Sequence, residues 1–299
     1  MSEIPVELVL DARNATGESP VWCAAEQALY WVDIPEKKKL CRLTIGSGEM
    51  TQWQAPEMLG CISPVASGSS WMAGAETGVF QLRPGPQGQL GFDRLAMVVH
   101  AAPGMRFNDG RCDRQGRFLA GTMMMNMASS PRYGCVYSYQ KNSGLTQLLD
   151  GFITPNGMAF SPDGGTMYLS DSHPSVQSVW AFDYDIESGT PSRRRLFIDM
   201  NPLPGRPDGA AIDEDGCYWI CGNDAGLIHR FTPQGKLDRS LPVPVKKPAM
   251  CAFGGVGMDT LFVTSIRPDG IDLSDQPLAG GVFALYPGAR GLPEPAFAG

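Results

Sequence analysis

The sequence is poor in charge and in histidine. Only 18% of its 299 residues are Asp, Glu, Lys or Arg, and histidine occurs three times. Helical bundles and coiled coils are rich in Ala, Glu, Lys, Leu and Arg, so this composition argues against both. Acidic residues outnumber basic ones by 31 to 24, which gives a net charge of −7. The chain therefore lacks the basic surface that binding to nucleic acid requires.

Long apolar segments are missing as well. No run reaches the roughly 18 residues that a membrane-spanning helix needs, and residues 1–10 contain no basic segment followed by an apolar one. We therefore expect neither a signal peptide nor a membrane partner. The eight cysteines lie mostly within apolar runs, which is typical of reduced, buried thiols, so we expect a cytoplasmic protein.

Glycine and proline are abundant, and they bound short runs of β-branched and aromatic residues that predict β-strands. Pairs of such runs recur about every 45 residues, which is the period of a β-propeller blade. The first runs of the six repeats lie at residues 29–32, 71–73, 118–120, 167–169, 217–220 and 261–263. The sequence therefore predicts an all-β fold, a six-bladed β-propeller that spans residues 1–299 as a single domain.

The segment Val6–Leu10 is a further predicted strand that lies outside the six repeats. We expect it to complete the last blade. This pairing would close the ring and protect the exposed strand edges.

Alignment of the six repeats brings polar side chains to one register. The residues at this register are Glu18, Cys61, Asn108, Asn156, Asp208 and Met250. Four of them carry side-chain oxygens, and the innermost strand of each blade lines the central channel of a propeller, so these oxygens should converge. Two carboxylates and two amides suit a divalent cation and leave open positions for water and substrate.

A structural explanation competes with the metal site. Asn-Gly and Asp-Gly pairs are common turn signatures, so each of these motifs taken singly indicates a turn rather than a ligand. The register shared by several blades is the feature that favours a central metal site formed by Glu18, Asn108, Asn156 and Asp208.

The same residues carry a family resemblance. Residues 17–22 (GESPVW), 106–113 (RFNDGRCD), 155–161 (PNGMAFS) and 206–209 (RPDG) resemble motifs of the family that joins senescence marker protein (regucalcin), gluconolactonases and luciferin-regenerating enzyme. The similarity extends into residues 276–293 and thus covers nearly the whole chain.

This resemblance implies a six-bladed propeller that holds one divalent metal ion and hydrolyses sugar lactones. It implies the metal ligands Glu18, Asn108, Asn156 and Asp208, and it makes Arg106 and Asn108 substrate-binding residues. For Arg106, an ion pair at the surface or between blades is the alternative role.

One loop departs from the family pattern. In the family's vertebrate members acidic residues follow Gly-Thr-Met, whereas this chain continues with Met124, Met125 and Asn126. Asn126 is a candidate hydrogen-bond partner of a sugar hydroxyl, and residues 122–130 are alternatively a flexible, Met-rich lid.

The expected function is metal-dependent hydrolysis of a sugar lactone to the aldonic acid in carbohydrate catabolism. Asp208 is the candidate general base on the attacking water, and a hydroxide on the metal is the alternative. Calcium or zinc is the first choice of metal, while magnesium, manganese and iron are also compatible. The expected partner is a small sugar lactone, and the expected state is a monomer or a weak homo-oligomer.

Two other functions remain open from the sequence. The first is hydrolysis of an organophosphate or another ester on the same propeller. The second is a calcium-binding regulatory module without enzymatic activity.

Overall fold

The computed structural model describes residues 4–35, 37–66, 68–129 and 131–299. Within these ranges the chain forms six four-stranded antiparallel sheets, and its helical segments are two short 3-10 turns, Pro86–Gly88 and Met127–Ser129. The all-β prediction is confirmed. No helix in the described ranges has the length and the apolar content needed to cross a bilayer.

Each sheet is one blade of a propeller. The first strand of the chain is β1 (Val6–Leu10). Blade 1 consists of β2 (Gly17–Cys23), β3 (Ala28–Asp33), β4 (Lys39–Thr44) and β5 (Glu49–Gln54). Blade 2 consists of β6 (Leu59–Pro64), β7 (Trp71–Ala75), β8 (Gly78–Pro84) and β9 (Leu90–Met97). Blade 3 consists of β10 (Met105–Cys112), β11 (Phe118–Met124), β12 (Gly134–Gln140) and β13 (Gly144–Phe152). Blade 4 consists of β14 (Pro155–Phe160), β15 (Thr166–Asp171), β16 (Ser178–Asp185) and β17 (Thr190–Asp199). Blade 5 consists of β18 (Arg206–Ile212), β19 (Tyr218–Asn223), β20 (Leu227–Phe231) and β21 (Leu237–Pro242). Blade 6 consists of β22 (Pro248–Gly254), β23 (Thr260–Ser265) and β24 (Val282–Leu285), and β1 is its fourth strand.

Burial falls from the first strand of each blade to the last. Every residue of β14 and β22 is buried, whereas half of the residues of the outer strand β5 and most of those of β17 are exposed. The first strands of successive blades also contact one another around a complete circle. They therefore form the inner wall of the propeller, and their side chains line its channel.

The N-terminal strand closes the ring as predicted. β1 pairs antiparallel with β24, with Val6 opposite Leu285 and Leu8 opposite Phe283. One sheet is thus built from both ends of the chain, and the outer edge of β24 is covered.

Glycines allow the inner strands to approach each other closely. A Cβ at Gly60 would lie 2.3 Å from the carbonyl oxygen of Phe107, and a Cβ at Gly209 would lie 2.3 Å from the Cβ of Met250. Any side chain at either position would push neighbouring inner strands apart.

The C-terminal tail braces the ring in a way that the sequence did not suggest. Phe297 N–H donates to Pro64 O at 2.7 Å, and the Phe297 ring is buried against Tyr139. Upstream of it, Glu294 pairs with the buried Arg111 of β10 at 3.0 Å. The tail therefore links blades 2 and 3.

All eight cysteines are unpaired. Six are buried as expected, while Cys23 and Cys135 are partly exposed.

Candidate metal centre and active site

The shared register that the sequence suggested is present on the inner wall. Glu18, Asn108, Asn156 and Asp208 lie on the first strands of blades 1, 3, 4 and 5 and line one cavity of about 110 Å³. Cys61 and Met250 occupy the first strands of the two remaining blades. The predicted ligand set is therefore brought together.

β-Bulges distort these strands where the polar residues occur. The pairing shifts by one residue between Glu18 and Val21, and the same shift occurs at Asn156 in blade 4. Blades 3 and 5 shift between Phe107 and Gly110 and between Pro207 and Ala210. A bulge places an extra residue on one strand and redirects its side chain. The Asn-Gly and Asp-Gly motifs thus lie in bulged strands and not in hairpin turns.

Two amides hold the carboxylate of Asp208. Asn156 Nδ2 donates to Oδ1 at 2.7 Å, and Asn223 Nδ2 donates to Oδ2 at 2.5 Å. Asn156 Nδ2 also donates to Ser172 Oγ, which in turn donates to Pro207 O. These contacts fix the orientation of the Asn156 amide and leave its oxygen buried without a hydrogen-bond partner in the described part of the chain.

Arg106 lines the same cavity and contacts Asn108 directly. Arg106 Nη1 donates to Asn108 Oδ1 at 2.8 Å and to Phe107 O at 2.7 Å, while Asn108 Nδ2 donates to Pro155 O at 3.1 Å. Among the described residues Arg106 forms no ion pair within 4.0 Å. Its guanidinium belongs to the channel and not to the surface.

Two carboxylates share this cavity, Asp208 buried and Glu18 partly buried. Burial raises the pKa of Glu18 well above its usual range, and the charges of Asp208 and Asp109 raise it further. Burial likewise raises the pKa of Asp208 to about 7. Since burial disfavours the charged form, a proton or a cation is needed to compensate these groups.

The donor set fits a hard divalent cation. It offers two carboxylates and two amide oxygens, and the unpartnered Asn156 Oδ1 is an oxygen of the kind that a cation would satisfy. No group of three or more His, Cys, Asp or Glu suited to a metal occurs in the described ranges, so the amides are an essential part of this set.

Asn223 is a site residue that the sequence analysis missed. It lies at the end of β19 opposite Arg206, and its Oδ1 is also buried without a partner among the described residues. In blades 1 and 4 the residue just before the predicted ligand pairs with Asp33 or Asp171, whereas in blade 5 it pairs with Gly222, so Asn223 lies one position beyond them. The repeat period therefore does not indicate Asn223.

The cavity is also lined by apolar side chains. These are Ile34, Ile266, Met123 and Met127. Asn126 is exposed, and its Oδ1 accepts a hydrogen bond from Ala128 N at 3.1 Å.

A histidine secures the segment that carries Met127. His173 Nδ1 accepts a hydrogen bond from Ser175 N at 3.2 Å, so the proton of the neutral ring lies on Nε2, which donates to Met127 O at 3.3 Å. The suggested lid over residues 122–130 includes Ser130, which lies outside the described residues.

The six blades therefore form a β-propeller whose central channel contains a site of carboxylate and amide side chains. Residues 16–267 match the family model described as the SMP-30/gluconolactonase/LRE-like region, and the chain belongs to this family.

Two lactonases are similar to this chain over nearly their full length. The chain is 37% identical to a 6-deoxy-6-sulfogluconolactonase of Pseudomonas putida, with 98% of this chain and 99% of the relative covered. It is 34% identical to an L-arabinolactonase of Azospirillum brasilense, with 98% and 95% covered. The solved structure of a calcium-binding protein, regucalcin, from Agrobacterium tumefaciens matches with a TM-score of 0.90 and 26% identity over 99% of each chain.

Proposed function

We propose that this protein hydrolyses a sugar lactone to the aldonic acid, with a divalent cation in the channel, as a step of carbohydrate catabolism. The observation that carries the proposal is the convergence of Glu18, Asn108, Asn156 and Asp208 on one cavity. The names of the two lactonase relatives support the same substrate class.

Glu18, Asn108, Asn156 and Asp208 would hold the cation. Calcium or zinc is our first choice, because oxygen ligands suit calcium and zinc also accepts carboxylates. When bound, the cation supplies Lewis acidity that polarises the lactone carbonyl.

Asp208 is the proposed general base. The two amides that donate to its oxygens hold the carboxylate in one orientation. It takes a proton from the water whose oxygen bonds to the lactone carbonyl carbon. It returns the proton to the ring oxygen when the carbon–oxygen bond of the ring breaks, and the aldonic acid is released.

Arg106 is the proposed positioning residue for the substrate. Its Nη1 is engaged by Asn108 and Phe107 O, so this contact aligns the guanidinium and leaves its other N–H groups to hydrogen-bond the lactone. We propose Asn126 as a contact to a sugar hydroxyl, to be tested by the KM of Asn126→Ala.

The test is a panel of aldonolactones and one organophosphate ester, given to protein loaded with each divalent cation. Acid release is followed with a pH indicator. Lactone opening well above the spontaneous rate, with the organophosphate untouched, supports the proposal. Faster turnover of the organophosphate favours the ester hydrolase, and no turnover of any substrate by calcium-loaded protein favours the regulatory module.

A further inference from the structure

A second arginine, Arg206, lines the same cavity as Arg106. Arg206 begins β18, and its side chain is 23% exposed. Its Nε donates to Asp224 Oδ2 at 2.6 Å, and its Nη1 donates to Ser172 O at 3.3 Å. The guanidinium is thereby fixed at the rim. Within the described residues its Nη2 donates no hydrogen bond.

Arg206 and Lys247 flank one carboxylate, that of Asp224, and the charge of Arg206 also lowers the pKa of Asp208. Asp224 also accepts a hydrogen bond from Lys247, so two cations share one carboxylate. Burial raises the pKa of Asp224, but hydrogen bonds from Arg206 and Lys247 outweigh this effect and lower it. Asp224 is therefore ionised near neutrality, and the three side chains together carry one net positive charge.

A neutral sugar lactone does not need this charge. Arg106 already offers a guanidinium beside the proposed metal ligand Asn108, and three further residues of the same cavity, Ile34, Met123 and Met127, are apolar. The free Nη2 of a fixed guanidinium suits the oxygen of an anion, because its N–H groups donate charge-assisted hydrogen bonds.

We propose that Arg206 binds an anionic group of the substrate, a carboxylate or a sulfonate that the sugar carries outside its lactone ring. This inference rests on the proposed lactone hydrolysis and narrows its substrate class to acidic lactones. Arg206 is then a specificity-determining residue, and Asp224 with Lys247 holds its guanidinium in place.

A purely structural role makes a different prediction. Arg206, Asp224 and Lys247 connect blades 5 and 6, and the positive charge of Arg206 lowers the pKa of Asp208. If bracing and this electrostatic effect were the whole role, replacement of Arg206 would change the turnover of acidic and neutral lactones by the same factor.

The test compares matched substrates. Glucaro-1,4-lactone carries a carboxylate at the carbon where glucono-1,4-lactone carries a hydroxymethyl group, and a third lactone carries a sulfonate there. We expect wild-type kcat/KM to be about tenfold or more higher for at least one acidic lactone, which corresponds to about 1.4 kcal/mol. The better of the two acidic lactones identifies the anion.

Variants then test whether Arg206 causes the preference for an acidic lactone. Arg206→Met should lose about tenfold in kcat/KM on the preferred acidic lactone and change little on the neutral one, and Arg206→Lys should fall between. Arg195→Met, which removes an exposed arginine paired with Asp183, is the matched control and should leave the preference intact. Equal rates on acidic and neutral lactones in the wild type, or an equal loss on both in Arg206→Met, would overturn the inference.

A binding measurement distinguishes failure of this inference from failure of the proposed function. If no lactone is hydrolysed, calorimetry with glucarate and gluconate replaces kinetics. Tighter binding of the dianion that Arg206→Met abolishes would support the anion site while the lactonase proposal fails. Identical affinities for the two acids would overturn the anion site as well.

Discussion

Asn156 donates from Nδ2 to Asp208 Oδ1 at 2.7 Å, across the boundary between blades 4 and 5. The contact joins a predicted amide ligand to the predicted base. Because Ser172 holds the same amide nitrogen, the amide oxygen cannot exchange places with it without losing both hydrogen bonds. The inner-wall register of neighbouring blades thus determines the orientation of both site residues.

Asp208→Asn should lower kcat on a lactone by about a hundredfold or more, because a neutral amide cannot take the proton of the attacking water. Initial rates with saturating cation measure this effect. Elemental analysis of the variant is the control that cation remains bound. Turnover within a few-fold of wild type, with cation present, would exclude Asp208 as the base.

Cation binding should stabilise the protein more as pH rises. The folded, cation-free protein keeps a proton on Asp208 up to a pKa of about 7, against an ordinary 3.8, and the pKa of Glu18 shifts in the same direction. These groups contribute stability at low pH, and it is lost as pH rises through the folded pKa.

The measurement is the difference in Tm between cation-loaded and cation-free protein from about pH 5 to about pH 8. We expect the difference to grow over this window. The comparison at each pH cancels the opposite effect of the buried His229, whose pKa burial lowers. A difference that stays constant with pH would show that the cation does not replace protons on these carboxylates.

His173→Ala should raise KM about fivefold while kcat changes less, because the loss of one hydrogen bond to Met127 O loosens a cavity wall and leaves the proposed ligands in place. His173→Gln offers an amide donor and should restore part of the affinity. Steady-state kinetics on one lactone gives both constants. Unchanged KM in the alanine variant would show that this tether does not position the wall.

Glu294→Gln should destabilise the fold by about 2 kcal/mol, because it removes the ion-pair partner of the buried Arg111 and leaves only the charge of Asp109 to compensate the guanidinium. The midpoint of urea unfolding measures the change. Asp93→Asn is the matched control, since it breaks the exposed pair with Arg83 and should cost less than about 0.5 kcal/mol. Equal shifts in both variants would mean that the tail pair adds no more than a surface pair.

The sequence predicted the features that repeat along the chain. Blade number, the closing strand Val6–Leu10 and the convergence of Glu18 with Asp208 all follow from a shared period, because equivalent positions in a propeller face one axis. The bulge of blade 4 explains one of the turn-like motifs, because its left-handed backbone falls on Gly157 with a φ of 56°, whereas the bulge of blade 1 places it on Ser19 with a φ of 51°.

Features that depend on pairing between distant segments were not predictable in the same way. Asn223 reaches Asp208 only because β19 pairs with β18, and Glu294 meets Arg111 across 183 positions of sequence. The repeat period of the sequence predicts neither contact. The side-chain orientation of Asn126 likewise depends on a loop that has no repeat counterpart.

The most direct measurement is the rate of lactone opening by protein stripped with a chelator, compared with the same sample after one equivalent of divalent cation is restored. The stripped protein should open the lactone at close to the spontaneous rate, and restoration should raise the rate at least about a hundredfold. A stripped protein as fast as the restored one, or a loaded protein no faster than solvent, would contradict a cation-dependent lactonase.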